Sequence, residues 1–255
     1  MLVAALDTAT LTLSCALVDL VRGEGARLRC ERTERTSAKP EQGKVGGHSA
    51  VLPQALVDLL HAEGRTIPDV EAYAVGLGPG SFTGLRIGLA TWKGLAYANR
   101  RPIAGASSLA AMALAAAADA APGALLVPLL DAKKGEVYAG FYRARGGGIV
   151  ELADDAALPP GAVAERVRAL GGGAAAAFGE GYDAYAGALG PDLPRLATEV
   201  RTPPAAAVAA LVAEALLDAA YDPQALFALE PHYVRPSEAE LRHPRGVGPG
   251  AVKPS

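Results

Sequence analysis

Short apolar runs open the chain and alternate with polar ones at strand spacing. Residues 2–6 are apolar and end in Asp7-Thr8-Ala9-Thr10. Leu13, Cys15 and Leu17 then interleave with Ser14, Ala16 and Val18, and after Arg22-Gly23-Glu24-Gly25 the alternation resumes at Ala26, Leu28 and Cys30. A period of two on either side of a Gly-rich turn predicts a hairpin. Folding it would bring Cys15 and Cys30 near one another as two buried or half-buried thiols. Residues 33–47 are polar, carry Pro40, Gly43, Gly46 and Gly47, and predict a mobile loop.

The period then changes. Val51, Leu52, Ala55, Leu56, Leu59 and Leu60 recur at helical spacing from Ser49 to Gly64, with Pro53 close to the first turn, where a missing N–H does least harm. Residues 72–77 predict a strand, 81–99 a helix, 103–106 a strand and 108–120 an Ala-rich helix. Residues 125–130 restart the pattern: an apolar run, Asp131, a Lys-Lys-Gly turn, and a second strand over 136–142. Beyond it, Ala and Gly blur the periodicity; helices at 163–170 and 205–220 and a strand at 175–178 are the expectations. A hairpin followed by alternating helices and strands, twice, predicts an α/β chain of two duplicated lobes with a ligand cleft between them. The expected division is 1–107, 108–225 and a tail over 226–255, mostly flexible after about 236.

Composition narrows the function. The 255 residues hold 24 Lys plus Arg and 27 Asp plus Glu, a net charge of −3. Such a chain is a poor stand-alone nucleic-acid binder; the Arg-containing tail (Arg235, Arg242, Arg245, Lys253) is a modest exception. Hydrophobic residues reach 51%, enough for a full core. The mean hydropathy of +0.20 reflects Ala, and no apolar run approaches the ~20 residues of a membrane span. With two Cys and no basic leader at the start, the expectation is a cytoplasmic protein.

Candidate chemistry sits in a few places. Gly78-Pro79-Gly80-Ser81-Phe82-Thr83-Gly84 feeds a helix N-terminus. It reads either as an anion site or as a strand-to-helix turn with Ser81 as N-cap; it is not a Walker A loop. Gly80, Gly84 and Gly88 recur every four residues, and Ala90, Gly94 and Ala98 add a small-residue face. Another backbone must approach this helix closely, from within the chain or from another chain. His48 is followed four residues on by Leu52, so the His-x-x-x-His metal pair is missing; His48 is expected to face solvent or a partner. No Gly-x-Ser-x-Gly elbow occurs. Asp7 and Asp131, each at a strand end, read as turn caps or as carboxylates facing a nucleotide cleft.

Five segments, in order, resemble the bacterial TsaB (YeaZ) family. They are Leu6-Asp7-Thr8-Ala9-Thr10, His48-Ser49-x-x-Leu52-Pro53, the run from Gly78 to Gly88, the run from Asp131 to Tyr138, and Glu230-Pro231-x-Tyr233-Val234-Arg235. The 33–47 loop looks longer than the family's, and the tail past 236 carries no family signal. The resemblance implies a two-lobed, actin-like (ASKHA, ribonuclease H-like) fold. It implies a non-catalytic subunit required to make N6-threonylcarbamoyladenosine in tRNA, working with the catalytic TsaD and the ATPase TsaE. Metal and ATP are expected on those partners, none on this chain, with tRNA met only through the complex. The alternative is an ASKHA ATPase or kinase using the cleft.

The expected partner surface comprises His48, Leu52, Leu56, Leu59, Gly80, Ser81, Phe82, Thr83, Gly84, Arg86, Ile87 and Gly88. It would serve a homodimer when the chain is alone and TsaD otherwise. A leucine at Gly84 or Gly88 is then expected to abolish partner binding and spare the monomer. Asp7, Thr8, Thr10, Asp131 and Lys133 mark a possible vestigial nucleotide cleft.

Overall fold

A computed structural model describes residues 1–36, 47–171 and 173–235. Most of the 33–47 loop and the tail past 235, with Arg242, Arg245 and Lys253, lie outside the described residues.

The first lobe begins with a meander, β1 (Leu2–Asp7), β2 (Thr12–Val21) and β3 (Gly25–Arg35). Residues 33–35 therefore extend a strand rather than open a loop, held by pairing of Thr33 with Ser14 and Arg35 with Thr12. Next come α1 (His48–Ala62), β4 (Ala72–Gly76), α2 (Phe82–Asn99) and β5 (Ile103–Ala106). The sheet order is β3-β2-β1-β4-β5. β2 runs antiparallel to β1 and to β3, and β4 runs parallel to β1 and to β5. β1 is buried along its whole length, as a central strand covered on both faces must be. Its alternate residues feed two cores. Ala4 and Leu6 join Leu52, Leu56 and Trp92 beneath α1 and α2. Val3 and Ala5 face the opposite way.

The second lobe repeats the plan. α3 (Ser108–Ala116) leads to β6 (Leu125–Lys133), β7 (Glu136–Arg145), β8 (Gly148–Leu158), α4 (Pro160–Ala169), β9 (Ala175–Phe178) and α5 (Glu180–Leu189). The order is β8-β7-β6-β9, antiparallel through β8-β7-β6 and parallel between β6 and β9. Two mixed sheets, each a meander joined to parallel strands and flanked by helices, make the two-lobed, actin-like ASKHA fold.

The C-terminal part returns to the first lobe. The expected 205–220 helix breaks at Val212 (φ −102°, ψ 8°) into α6 (Ala205–Leu211) and α7 (Ala213–Asp218). α6 buries Ala205, Val208 and Ala209 against Val3, Ala5 and Ala16 of the first sheet, and Ala205 N–H donates to Ser14 Oγ at 2.8 Å. A lobe boundary at 225 therefore assigns these helices to the wrong sheet. Their small side chains cover the β1 face that α1 and α2 leave open. α8 (Pro223–Ala228) and the strap that follows it run along α2: Phe227 meets Tyr97, Lys93 Nζ donates to Phe227 O, and Tyr233 meets Phe82.

Candidate functional site

Asp7 ends β1 at the turn between the lobes, yet its carboxylate is enclosed, 1% exposed. It accepts the Ala9 N–H at 2.8 Å and the Ser108 hydroxyl at 2.6 Å, and Ser108 Oγ accepts the Gly78 N–H. A Cβ on Gly76 would stand 1.9 Å from Asp7 Oδ2, so Gly76 is fixed by this close approach. Burial pushes the Asp7 pKa up to about 6, although both hydrogen bonds pull it down. Thr8 is likewise internal, donating to Gly84 O at 2.9 Å. Neither lines the interlobe space, so the Asp7 and Thr8 part of the expected cleft set faces inward. Thr10, Asp131 and Lys133 do line it.

Asp131 is held by its own hairpin. It accepts Lys133 Nζ at 2.6 Å, the Lys133 N–H at 2.8 Å and the Tyr185 hydroxyl at 3.1 Å. Burial raises its pKa, but the Lys133 and Tyr185 contacts outweigh burial and leave it below the usual value. A magnesium nucleotide fits these residues poorly. One carboxylate is closed off and the other is already neutralised by a lysine.

Between the lobes lies a cavity of about 1170 Å³. The β1–β2 turn, the start of α2, the β6–β7 tip, Glu180, Arg201 and the 232–235 strap enclose it. The strap closes onto both lobes: His232 N–H donates to Leu77 O, and Arg235 Nη1 pairs with Glu136 at 2.8 Å.

The expected partner surface divides in two. Leu52, Leu56 and Leu59 are buried in the core under α1. His48 also points inward. Its Nε2–H donates to Thr10 O at 2.7 Å, Nδ1 is enclosed without a hydrogen-bond partner among the described residues, and burial lowers its pKa. His48 is therefore buried against the β1–β2 turn and does not face solvent or a partner as expected. Gly80 and Gly84 admit the β1–β2 turn: added Cβ atoms would lie 2.3 Å from Ala9 O and 2.3 Å from Thr8 O. At Gly88 a Cβ would lie 2.3 Å from Thr8 Oγ1. The close partner of these three glycines is this chain's own turn. Ser81 caps α2 by accepting the Gly84 N–H, as the capping reading expected.

Outward on α2 lie Phe82, Thr83, Arg86 and, half-buried, Ile87. Ala90, Gly94 and Ala98 continue this outer surface; all three are exposed, and nothing among the described residues lies within 4 Å of a Cβ placed on Gly94. At its edge Phe82 and Arg86 meet Tyr233 of the strap, and Tyr97 meets Phe227 of α8. Sequence spacing revealed both small-residue rows. It missed the strap, whose short, Pro-interrupted run carries no period.

Residues 40–202, more than half of the chain, match the family described as TsaD: tRNA N6-adenosine threonylcarbamoyltransferase. The tRNA threonylcarbamoyladenosine biosynthesis protein TsaB of Escherichia coli (strain K12) is 36% identical over 140 residues, covering 51% of this chain and 60% of that protein. The protein of the same name from Bacillus subtilis (strain 168) is 30% identical over 155 residues, 61% of each chain. The matched region thus spans about three fifths of these curated relatives. The solved structure of YeaZ from Pseudomonas aeruginosa superposes with a TM-score of 0.70 at 28% identity, covering 91% of this chain and 99% of that one. The chain belongs to the TsaD-type family, among its TsaB/YeaZ proteins.

Proposed function

We propose that the chain is a non-catalytic partner subunit in the biosynthesis of N6-threonylcarbamoyladenosine in tRNA. It docks a TsaD-type catalytic subunit through the outer face of α2, with a TsaE-type ATPase joining the pair, and a second copy of the chain takes the same face when it is alone. The observation that carries this reading is the pairing of an inward His48 with a core Leu52, beside a small-residue row on α2 that has no partner among the described residues. Without a second imidazole one turn on, α1 has no metal pair. Ala90, Gly94 and Ala98 would let a partner helix approach at the ~8–10 Å of close helix packing. The enclosure of Asp7 supports placing nucleotide and metal on the partners rather than in this chain, and weighs against the ATPase reading. The role places the chain in the cytoplasm with its tRNA; no described helix is long and apolar enough to cross a membrane.

Reconstitution tests it. Modified nucleoside is measured with the TsaD-type subunit, the TsaE-type subunit and this chain, together and with each left out. The chain alone is expected to form none, and the mixture lacking it far less than the full set. Product from the chain alone, or formation indifferent to its presence, overturns the proposal.

A further inference from the structure

One wall of the interlobe cavity differs from the others. The two lobes share a core: Ala9 and Leu85 of the first are buried in a single cluster with Leu130 and Tyr142 of the second. Parting the lobes to admit a ligand would break that packing. The strap, residues 230–235, lines the cavity with His232, Tyr233, Val234 and Arg235. None of its residues is buried, and none belongs to a core cluster. The core ends one residue earlier, at Leu229, which still packs against the cluster under α1 and α2.

Contacts at three of its residues hold the strap. Two are with the first lobe. The His232 N–H donates to Leu77 O at 2.7 Å, and the Tyr233 ring rests 5.1 Å from that of Phe82 while its hydroxyl accepts the Arg86 Nε–H at 2.9 Å. The third is with the second lobe. Arg235 Nη1 donates to Glu136 Oε2 at 2.8 Å, the strap's only hydrogen bond to that lobe among the described residues. The two side chains keep 26% and 33% of their surface, so water screens the pair and salt weakens it. The strap joins neither sheet, and Pro231 has no N–H to give. A backbone bond, a ring contact and a screened ion pair are each weak. A segment held only by such contacts detaches locally while the core stays folded. Its release would open one side of the cavity and uncover Phe82 and Arg86, which Tyr233 covers.

We infer that the strap is a lid on the interlobe cavity, hinged after Leu229 and latched to the second lobe by the Arg235–Glu136 pair. The lid stands or falls independently of the docking face on α2.

Two rates measured on the full chain test it. The first is hydrogen exchange of the His232 amide. The second is labelling of a thiol placed in the cavity, at Tyr138→Cys beside Arg235 or, as a second probe, at Ala132→Cys. The reagent is a polyethylene-glycol maleimide, and the parent chain corrects for Cys15 and Cys30. Glu136→Gln and Arg235→Gln should each speed both rates about fivefold, the weight of one partly screened pair, with melting temperature and the exchange of buried α2 amides unchanged. Raising salt from roughly 50 to 500 mM should speed both rates in the parent chain and leave the two variants unmoved. Glu136→Arg combined with Arg235→Glu should restore the parent rates. The lid is overturned by a His232 amide that exchanges without protection in the parent chain, or by rates indifferent to both variants. It is equally overturned by a swapped pair that restores nothing, or by thiol labelling that stays constant while strap exchange accelerates.

Discussion

Thr8 and Gly84 share both a hydrogen bond and a surface. Thr8 Oγ1 donates to Gly84 O at 2.9 Å, and a Cβ on Gly84 would stand 2.3 Å from Thr8 O. The obstacle at Gly84 is backbone; at Gly88 it is the side chain of the buried Thr8, both of whose γ atoms face that position. Gly84→Ala should therefore destabilise the fold by about 3 kcal/mol and Gly88→Ala, which displaces a side chain rather than backbone, by about 1–2 kcal/mol. Leucine at either position should prevent folding. Chemical denaturation checks the order; a fully stable leucine variant at residue 84 would show that α2 does not rest on this turn. This reverses the expectation that such substitutions spare the monomer.

The N-terminus of α3 ties the two lobes together. Ser107 Oγ accepts the Leu109 and Ala110 N–H groups and donates to Asp155 of β8 at 2.5 Å, while the adjacent Ser108 holds Asp7 of β1. Tyr142 donates to the other Asp155 oxygen at 2.7 Å. Ser107→Ala removes a helix cap, worth about 1 kcal/mol, and leaves a buried carboxylate with one donor fewer, at roughly 1–3 kcal/mol. A loss of about 2–3 kcal/mol is expected in urea melts. A change under about 0.5 kcal/mol, the usual size of a neutral surface substitution, would contradict the cap.

Asp7 gives the protein a pH signature. Its folded pKa stands at about 6 against an ordinary 3.8, so between those values the folded state binds more protons than the unfolded chain. Its contribution is full below about 4 and is lost as pH rises through about 6, a change of about 3 kcal/mol. Asp155, raised by burial, acts in the same direction, and His48, lowered by burial, acts against it. The comparison is therefore with Asp7→Asn at each pH. Wild type should lose ground to that variant as pH rises from about 4 to 7. Parallel stability curves would mean the carboxylate is not desolvated.

Much of this was legible in the chain itself. The meander, the repeat of strand, Asp and turn at Asp7 and Asp131, and the helices over 49–62 and 81–99 follow from spacing, because each element has one apolar face and one core to meet. Which face of α2 looks outward did not follow. Gly84 and Gly94 are the same residue type on one helix, and only the fold of the β1–β2 turn separates a packed glycine from an open one. β8 was missed because Asp154-Asp155 interrupts its pattern; Asp155 is buried there only because Ser107 and Tyr142 satisfy it. The return of α6 and α7 to the first sheet is a long-range pairing of alanines that local periodicity cannot show.

Gly94 offers the most direct test of the docking face. Nothing among the described residues lies within 4 Å of a Cβ there, so Gly94→Ala should raise stability by about 0.5–1 kcal/mol, and Gly94→Leu should fold normally. The decisive measurement is calorimetric titration of a TsaD-type subunit into wild type, Gly94→Ala and Gly94→Leu. The account predicts binding by wild type and its loss by at least about a hundredfold in Gly94→Leu, roughly 3 kcal/mol, with melting temperature retained. Unchanged affinity in a folded Gly94→Leu protein would contradict it.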